Sequence, residues 1–293
     1  NVSLPAEPLK RALEAGKVET VIIDTGLAKV ILSREQLIAL TGSGTGQIQL
    51  TVAHVDPSSL PSGVIERIGG DYPVFDFRLN NDSGAVTNFT SDRAVTVHID
   101  YTLKPGENPS TLVIYYVDDE GQLVVQKNVR YDAAAEQLVF SAKHFSTYAA
   151  ANVPVTFSDI RQTSWATSSI EALAAREIVQ GVGGQRFNPN DRITRAQFVQ
   201  MLVGTLDVPA AAGEASFTDV EPGAWYDEAV RTAAQLGIVH GRTDGSFGVN
   251  QPITRQDIAV MTFRAASAAG ALTGVSGAPD FSDKERIADY ALE

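Results

Sequence analysis

The stretch "FSDIRQTSWATSSIEALAAREIVQG", residues 157–181, returns without a gap as "FTDVEPGAWYDEAVRTAAQLGIVHG" at residues 217–241. Phe157, Asp159, Trp165 and Gly181 thereby match Phe217, Asp219, Trp225 and Gly241. Farther on, Phe187, Ile193, Thr194 and Arg195 match Phe247, Ile253, Thr254 and Arg255 at the same offset of sixty. A third copy opens at Phe281 and Asp283, with Tyr290 near the tryptophan position. A fixed period of this kind marks a repeat architecture. Each full copy reads as helix, loop, helix. In the first, Trp165, Ile170, Leu173, Ala174 and Ile178 form one apolar stripe, and Phe198, Met201, Leu202 and Leu206 another. A lone helix pair cannot bury both stripes, so the repeats are expected to stack as one folding unit. The segments "DVPAAAGEAS" (207–216) and "AGALTGVSGAPD" (269–280) read as flexible connectors.

Upstream of Pro154 the pattern changes. Runs such as "VETVIID", "LAKVIL", "QIQLTVA", "VFDFRL", "RAVTVHID", "TLVIYYV", "QLVVQK" and "QLVFSA" are short, β-branched or aromatic, and separated by Gly, Asn, Asp and Pro. Such spacing predicts a sandwich or partly closed barrel over residues 1–153. "SREQLIAL" reads as one short helix within it, capped by Ser33 with Gln36 three residues on. The expected fold is therefore multidomain: an N-terminal mainly-β, sandwich-like domain, then all-α repeats at 154–208 and 215–268 and the start of a third at 279–293.

Composition narrows the function. The 293 residues carry a net charge of −12, which disfavours general attraction to nucleic acid or anionic lipid. The absence of cysteine excludes thiol catalysis, disulfides and cysteine metal sites. No run of 18 apolar residues occurs, so no membrane span is expected. The chain opens and stops in mid-pattern and reads as an excerpt, with any targeting signal expected outside it.

The repeated arginine raises the sharpest question. Thr194 with Gln197, and Thr254 with Asp257, look like helix starts, which puts Arg195 and Arg255 in first helical turns. A cation there opposes the helix dipole, at a cost of about 0.3–1 kcal/mol if exposed. An anion offsets this, because helix-start amides and a guanidinium both favour one. Its source is either an internal carboxylate, such as Asp159, Asp191 or Asp219, or an external acidic ligand lodged between repeats. Residues 154–293 hold ten Arg and one Lys against six of each before them, and Arg suits planar oxyanions. Trp165 and Trp225, the only tryptophans, read either as core anchors or as platforms for a sugar face.

These residues carry a resemblance. F-x-D-[VI], W-[AY], G-I-V-x-G and F-x-x-x-x-x-I-T-R are similar to the S-layer homology (SLH) domain, over 155–208, 215–268 and the fragment from 279. The resemblance implies a pseudo-trimeric helical assembly of a secreted, cell-wall or S-layer protein. It also implies noncovalent anchoring, with no catalysis, to pyruvylated secondary polysaccharide linked to peptidoglycan, held in grooves between repeats. By position, Arg195 and Arg255 would meet the ketal carboxylate, and Thr194 and Thr254 would cap. Asp159, Trp165, Gly181, Asp219, Trp225 and Gly241 would complete the ligand-binding set. The family's T-R-A-E reads T-R-A-Q and T-R-Q-D here, which shortens the second cap. The short third repeat implies fewer complete grooves and weaker binding, and the family's lattices make self-association a further expectation.

The β domain carries no metal-ligand pair, phosphate loop or nucleophile elbow, and no cofactor is expected. "YTLKPGENPSTLVIYYVDDEGQLV" is loosely similar to spacer modules that precede SLH repeats. Loops "RLNNDSGAV" and "VDDEGQ" read as turns rather than calcium loops. "KHFSTYA" (143–149) places H-F-S on the expected last strand and resembles the self-cleavage site of certain β-sandwich modules. There His144 would be base and Ser146 nucleophile, cutting after Phe145. The alternative to an anchor is thus a self-processing or glycan-active β domain that merely carries one.

Overall fold

The computed structural model describes residues 1–293 except 43–45, 70, 88, 90–93, 119, 162, 207, 214–216, 273–280 and 293. The chain forms two compact units, Asn1–Phe187 and Asn188–Glu293. The sequence boundary at 153/154 thus lies inside the first unit, and the two helices of the first repeat belong to different units.

Twelve strands are described in the first unit: β1 (Val2–Pro5), β2 (Thr20–Asp24), β3 (Ala28–Ser33), β4 (Gln47–His54), β5 (Val74–Asn81), β6 (Gly84–Ala85), β7 (Val95–Asp100), β8 (Leu112–Val117), β9 (Leu123–Gln126), β10 (Arg130–Asp132), β11 (Gln137–Ala142) and β12 (Thr147–Asn152). One antiparallel sheet has the order β1-β4-β5-β12-β8-β9, with β6 on β5; the other runs β10-β11-β7-β3-β2. A single apolar core joins them, Val30, Val97 and Leu138 from one sheet meeting Leu50, Phe77 and Tyr148 from the other. Phe140 and Tyr148, one from each sheet, pack with ring centroids 5.1 Å apart. The sandwich-like domain is thereby present.

Eight of these strands fall on the runs read from sequence. β1, β6, β10 and β12 do not. The last, "TYAAAN", has Thr147 as its one β-branched residue, yet it sits mid-sheet with Tyr148, Ala149, Ala150 and Ala151 all buried. Small side chains suit a strand covered on both faces, and a helix, Ser62–Ile68, packs against it. The strand begins at Thr147, so His144–Ser146 precede it rather than lying on it.

In order, the helices are α1 (Ala6–Glu14), α2 (Arg34–Thr41), α3 (Ser62–Ile68), α4 (Ser164–Ala175), α5 (Arg195–Leu206), α6 (Asp227–Gln235) and α7 (Arg255–Ala268). α2 starts at the expected capping box: Gln36 N donates to Ser33 Oγ (3.4 Å) and Ser33 N to Gln36 Oε1 (2.7 Å).

Helix α4, from the first repeat, is part of the β domain's packing. Ala175 belongs to the β core. Arg176 donates from Nη1 to Ser110 O (2.8 Å) and Ala172 O (2.9 Å), and from Nη2 to Val129 O (2.8 Å) and Leu112 O (3.4 Å). Burial pulls its pKa below the ordinary arginine value. An ion pair between Arg67 and Glu177 flanks it.

In the second unit α5, α6 and α7 enclose a core of Val199, Val230, Ala233, Ile238, Phe247 and Met261. The described part of the 207–216 connector is pinned rather than free. Arg231 Nη1 donates to Ala211 O and Gly213 O, each at 2.6 Å, and Ala211 N donates to Thr232 Oγ1 at 3.0 Å.

Candidate functional site: a cationic cleft in the second unit

The repeated residues fall into two groups. Asp159, Asp219, Gly181 and Gly241 shape loops. Asp219 accepts backbone N–H from Phe247 (2.6 Å), Gly248 (2.8 Å) and Val249 (3.0 Å), and Asp159 accepts from Phe187 N (2.9 Å). Burial alone would raise the Asp219 pKa, but the three amides outweigh it and hold the carboxyl below its usual value. Gly181 and Gly241 lie against the repeat phenylalanines. A Cβ at either would come within 2.7 Å of Cε1 of Phe157 or Phe217.

The arginines diverge. Arg255 is exposed and makes no ion pair among the described residues. Arg195 is only 11% exposed; its Nη1 sits 3.2 Å from Asp257 Oδ1 and its guanidinium 5.0 Å from the Phe247 ring centroid. Nη2 reaches His240 O at 3.5 Å. Burial lowers the Arg195 pKa; Asp257 opposes that and Arg242 adds to it. The internal carboxylate is therefore Asp257, not Asp159, Asp191 or Asp219. Asp257 also accepts from Tyr290 OH (3.1 Å, to Oδ1) and Thr254 Oγ1 (2.7 Å, to Oδ2). Burial would raise its pKa, but the Thr254 hydroxyl, Arg195 and Tyr290 bring it below the carboxylate norm.

The open helix-start amides expected beside Arg195 are not there. Arg195 N donates to Gln251 O (2.8 Å), Ala196 N to Val249 O (3.3 Å) and Gln197 N to Thr194 Oγ1 (3.2 Å). Gln197 Oε1 returns the bond by accepting from Thr194 N at 2.8 Å. Any anion affinity at this point resides in side chains.

Arg195 nonetheless borders a cleft. A cavity of about 650 Å³ is lined by Arg195, His240, Arg242, Asp257, Arg264 and Tyr290, over an apolar floor that includes Val260 and Met261. Sequence reading missed Arg242 and Arg264. Trp165 and Trp225 are 88% and 60% exposed, which overturns the core-anchor reading, and Trp165 drops out of its expected apolar stripe. Trp225 packs edge-on against Tyr226, 5.2 Å between centroids, outside the cavity lining.

In the β domain, Ser146 Oγ donates to Val117 O at 3.1 Å. His144 packs its ring on Tyr116, 4.3 Å between centroids, and Phe145 is buried beside Phe89. The serine hydroxyl is thus committed to a backbone carbonyl, and His144 Nδ1 lies 3.3 Å from Tyr148 OH. Asp118 Oδ1 accepts from Glu120 N and Gln122 N, which makes it a turn residue.

Residues 156–199 and 216–259 match the model of the S-layer homology domain. An amylopullulanase of Thermoanaerobacterium thermosulfurigenes is 31% identical over 92% of this chain and 14% of its own length, a match that runs through the β domain. An exoglucanase of Acetivibrio thermocellus is 35% identical over 47% of the chain and 12% of the relative. A surface-layer 125 kDa protein of Lysinibacillus sphaericus is 28% identical over 49% and 12%. The chain thus spans about a seventh or less of these relatives. It carries two repeats of the S-layer homology family, and such repeats belong to secreted proteins anchored at the bacterial cell wall. No helix among the described residues is long and apolar enough to cross a membrane.

Proposed function

We propose that this chain anchors its parent protein by holding an acidic glycan, a pyruvylated secondary wall polysaccharide linked to peptidoglycan, in the cleft of the second unit. The observation that carries this is a cavity bordered by three arginines in a chain of net charge −12. A protein that repels polyanions at long range needs a local cationic pocket to hold one. Arg195 contributes a guanidinium fixed in place by Asp257, at little entropic cost on binding. Trp225, in the same unit and 60% exposed, offers indole surface to a saccharide outside the cavity. Anchoring of this kind works by binding alone, without a catalytic step.

Pull-down with cell-wall sacculi tests it. Native sacculi should retain the chain, and sacculi stripped of pyruvate should not. Arg195→Ala should weaken retention more than Arg255→Ala, since Arg195 borders the cleft and Arg255 is exposed to solvent. Equal retention on both sacculi sinks the proposal. The self-processing alternative predicts a break after Phe145 that Ser146→Ala abolishes; a single undivided band from both proteins on a denaturing gel disposes of it.

A further inference from the structure

The lining of the cleft draws on three copies of the repeat. Arg195 comes from the first, Asp257 from the second and Tyr290 from the short third. Asp257 Oδ1 joins them: it lies 3.2 Å from Arg195 Nη1 and accepts from Tyr290 OH at 3.1 Å, while Oδ2 takes the Thr254 hydroxyl. The first copy uses the equivalent position differently. There the counterpart of Asp257 is Gln197, whose Oε1 turns back to Thr194 N and closes its own helix.

The phenol is held from behind. Gln256 Nε2 donates to Tyr290 OH at 3.0 Å and Gln256 Oε1 accepts from Ala288 N at 3.1 Å, so one amide side chain grips both the hydroxyl and the backbone that carries the ring. The same position in the first copy is Ala196, buried in the core, so a repeat does not need glutamine there in order to fold. Phe281, Tyr290 and Leu292 all stay exposed, and apolar burial therefore adds little to this docking. Burial and the Asp257 carboxylate push the Tyr290 pKa above the tyrosine norm, which keeps the hydroxyl a donor at neutral pH. A carboxylate already stabilised by a second donor gains less from its guanidinium. Asp257 does not saturate Arg195 either: the buried Nε has no hydrogen-bond partner among the described residues.

Resting on the wall-glycan reading above, we propose that Tyr290 is a positioning residue for acid capture: its hydroxyl, docked by Gln256, shares Asp257 Oδ1 with Arg195 and so keeps the guanidinium fixed yet only partly neutralised. The opening of the third copy thereby sets the grip of a cation that the first copy supplies.

Isothermal titration of the full chain with a disaccharide bearing one pyruvate ketal tests it. Tyr290→Phe, which removes only the hydroxyl, should weaken binding about two- to tenfold, the worth of one hydrogen bond. Gln256→Ala should weaken it too, by releasing the phenol. In an Asp257→Ala background the effect of Tyr290→Phe should vanish, because the hydroxyl acts through that carboxylate. Carbon-13 NMR of the Asp257 carboxyl reads the same coupling without ligand. Arg195 and Tyr290 face this group directly, with His240, Arg242, Asp244 and Arg264 lining the cleft around it, and it should titrate at higher pH in Tyr290→Phe than in the parent. Circular dichroism melts of each variant monitor the fold. Undiminished binding by Tyr290→Phe overturns the inference, as does a full-sized effect in the Asp257→Ala background or an unmoved Asp257 titration. If the unaltered chain fails to bind the probe, the wall-glycan reading falls and this inference with it.

Discussion

Replacing Arg176 by leucine, the residue that the second repeat carries as Leu236, should uncouple α4 from the β domain. The guanidinium donates to carbonyls of Ser110, Leu112 and Val129 on the β side and of Ala172 in its own helix, with no carboxylate among these partners. Leucine leaves three β-side carbonyls without that donor. Each charge-assisted bond is worth about 1.5–3 kcal/mol and each stranded carbonyl costs about 1–3 kcal/mol. Removing the desolvation cost of a half-buried cation and adding apolar contact return part of this. A net loss of about 3 kcal/mol follows, and a folding unit of this size loses about 2–4 °C per kcal/mol, hence about 6–12 °C in Tm. Differential scanning calorimetry reads the shift, and hydrogen exchange across α4 shows where protection is lost. Arg176→Lys should fall between, because one ammonium cannot span carbonyls on separate segments. A Leu variant melting within about 2 °C of the parent, with α4 protection unchanged, would refute the account.

Gly241→Ala should cost about 1–3 kcal/mol in urea melts, because the new Cβ lands 2.7 Å from Phe217. Gly63→Ala, with nothing within 4 Å, should be near neutral; equal losses at both sites would contradict the close-contact argument. The depressed pKa of Asp219 gives a sign for pH. Its contribution is fully present above the unfolded value near 3.8 and is lost as pH falls through the folded value. Asp219→Asn should therefore lower stability at pH 7 and flatten the decline between pH 4 and pH 2. An unchanged slope in urea melts across that range would exclude Asp219 as its source.

The repeats were legible because Phe, Asp, Trp, Gly and I-T-R recur at one offset, and the β runs because alternating β-branched residues signal half-buried strands. The last strand was expected at "KHFSTYA" but lies farther on, and its Ala-rich part escaped, since a strand covered on both faces has no alternation to detect. The partner of Arg195 also escaped: Asp257 comes from the next repeat, and only stacking brings the two together. Arg242 and Arg264 were missed for the opposite reason. Matching the copies draws attention to what they share, and these arginines are what they do not share; the mismatch itself was the available signal. Exposure of Trp165 and Trp225 lies beyond any pattern of apolar spacing, because a tryptophan at helical period reads as core.

The first amides of α5 are closed by the carbonyls of Gln251 and Val249, residues that emerge from the ribosome well after the helix is complete. Growth from the N-terminus thus delivers α5 with its Thr194–Gln197 cap but before its first two amides have acceptors. Until the second repeat arrives, Arg195 lacks Asp257, and Phe198 and Val199 lack the core that covers them. A chain halted at that stage would carry an α5 open at its first turn and bare along its apolar face, so the first repeat's second helix owes its burial to the repeat that follows it.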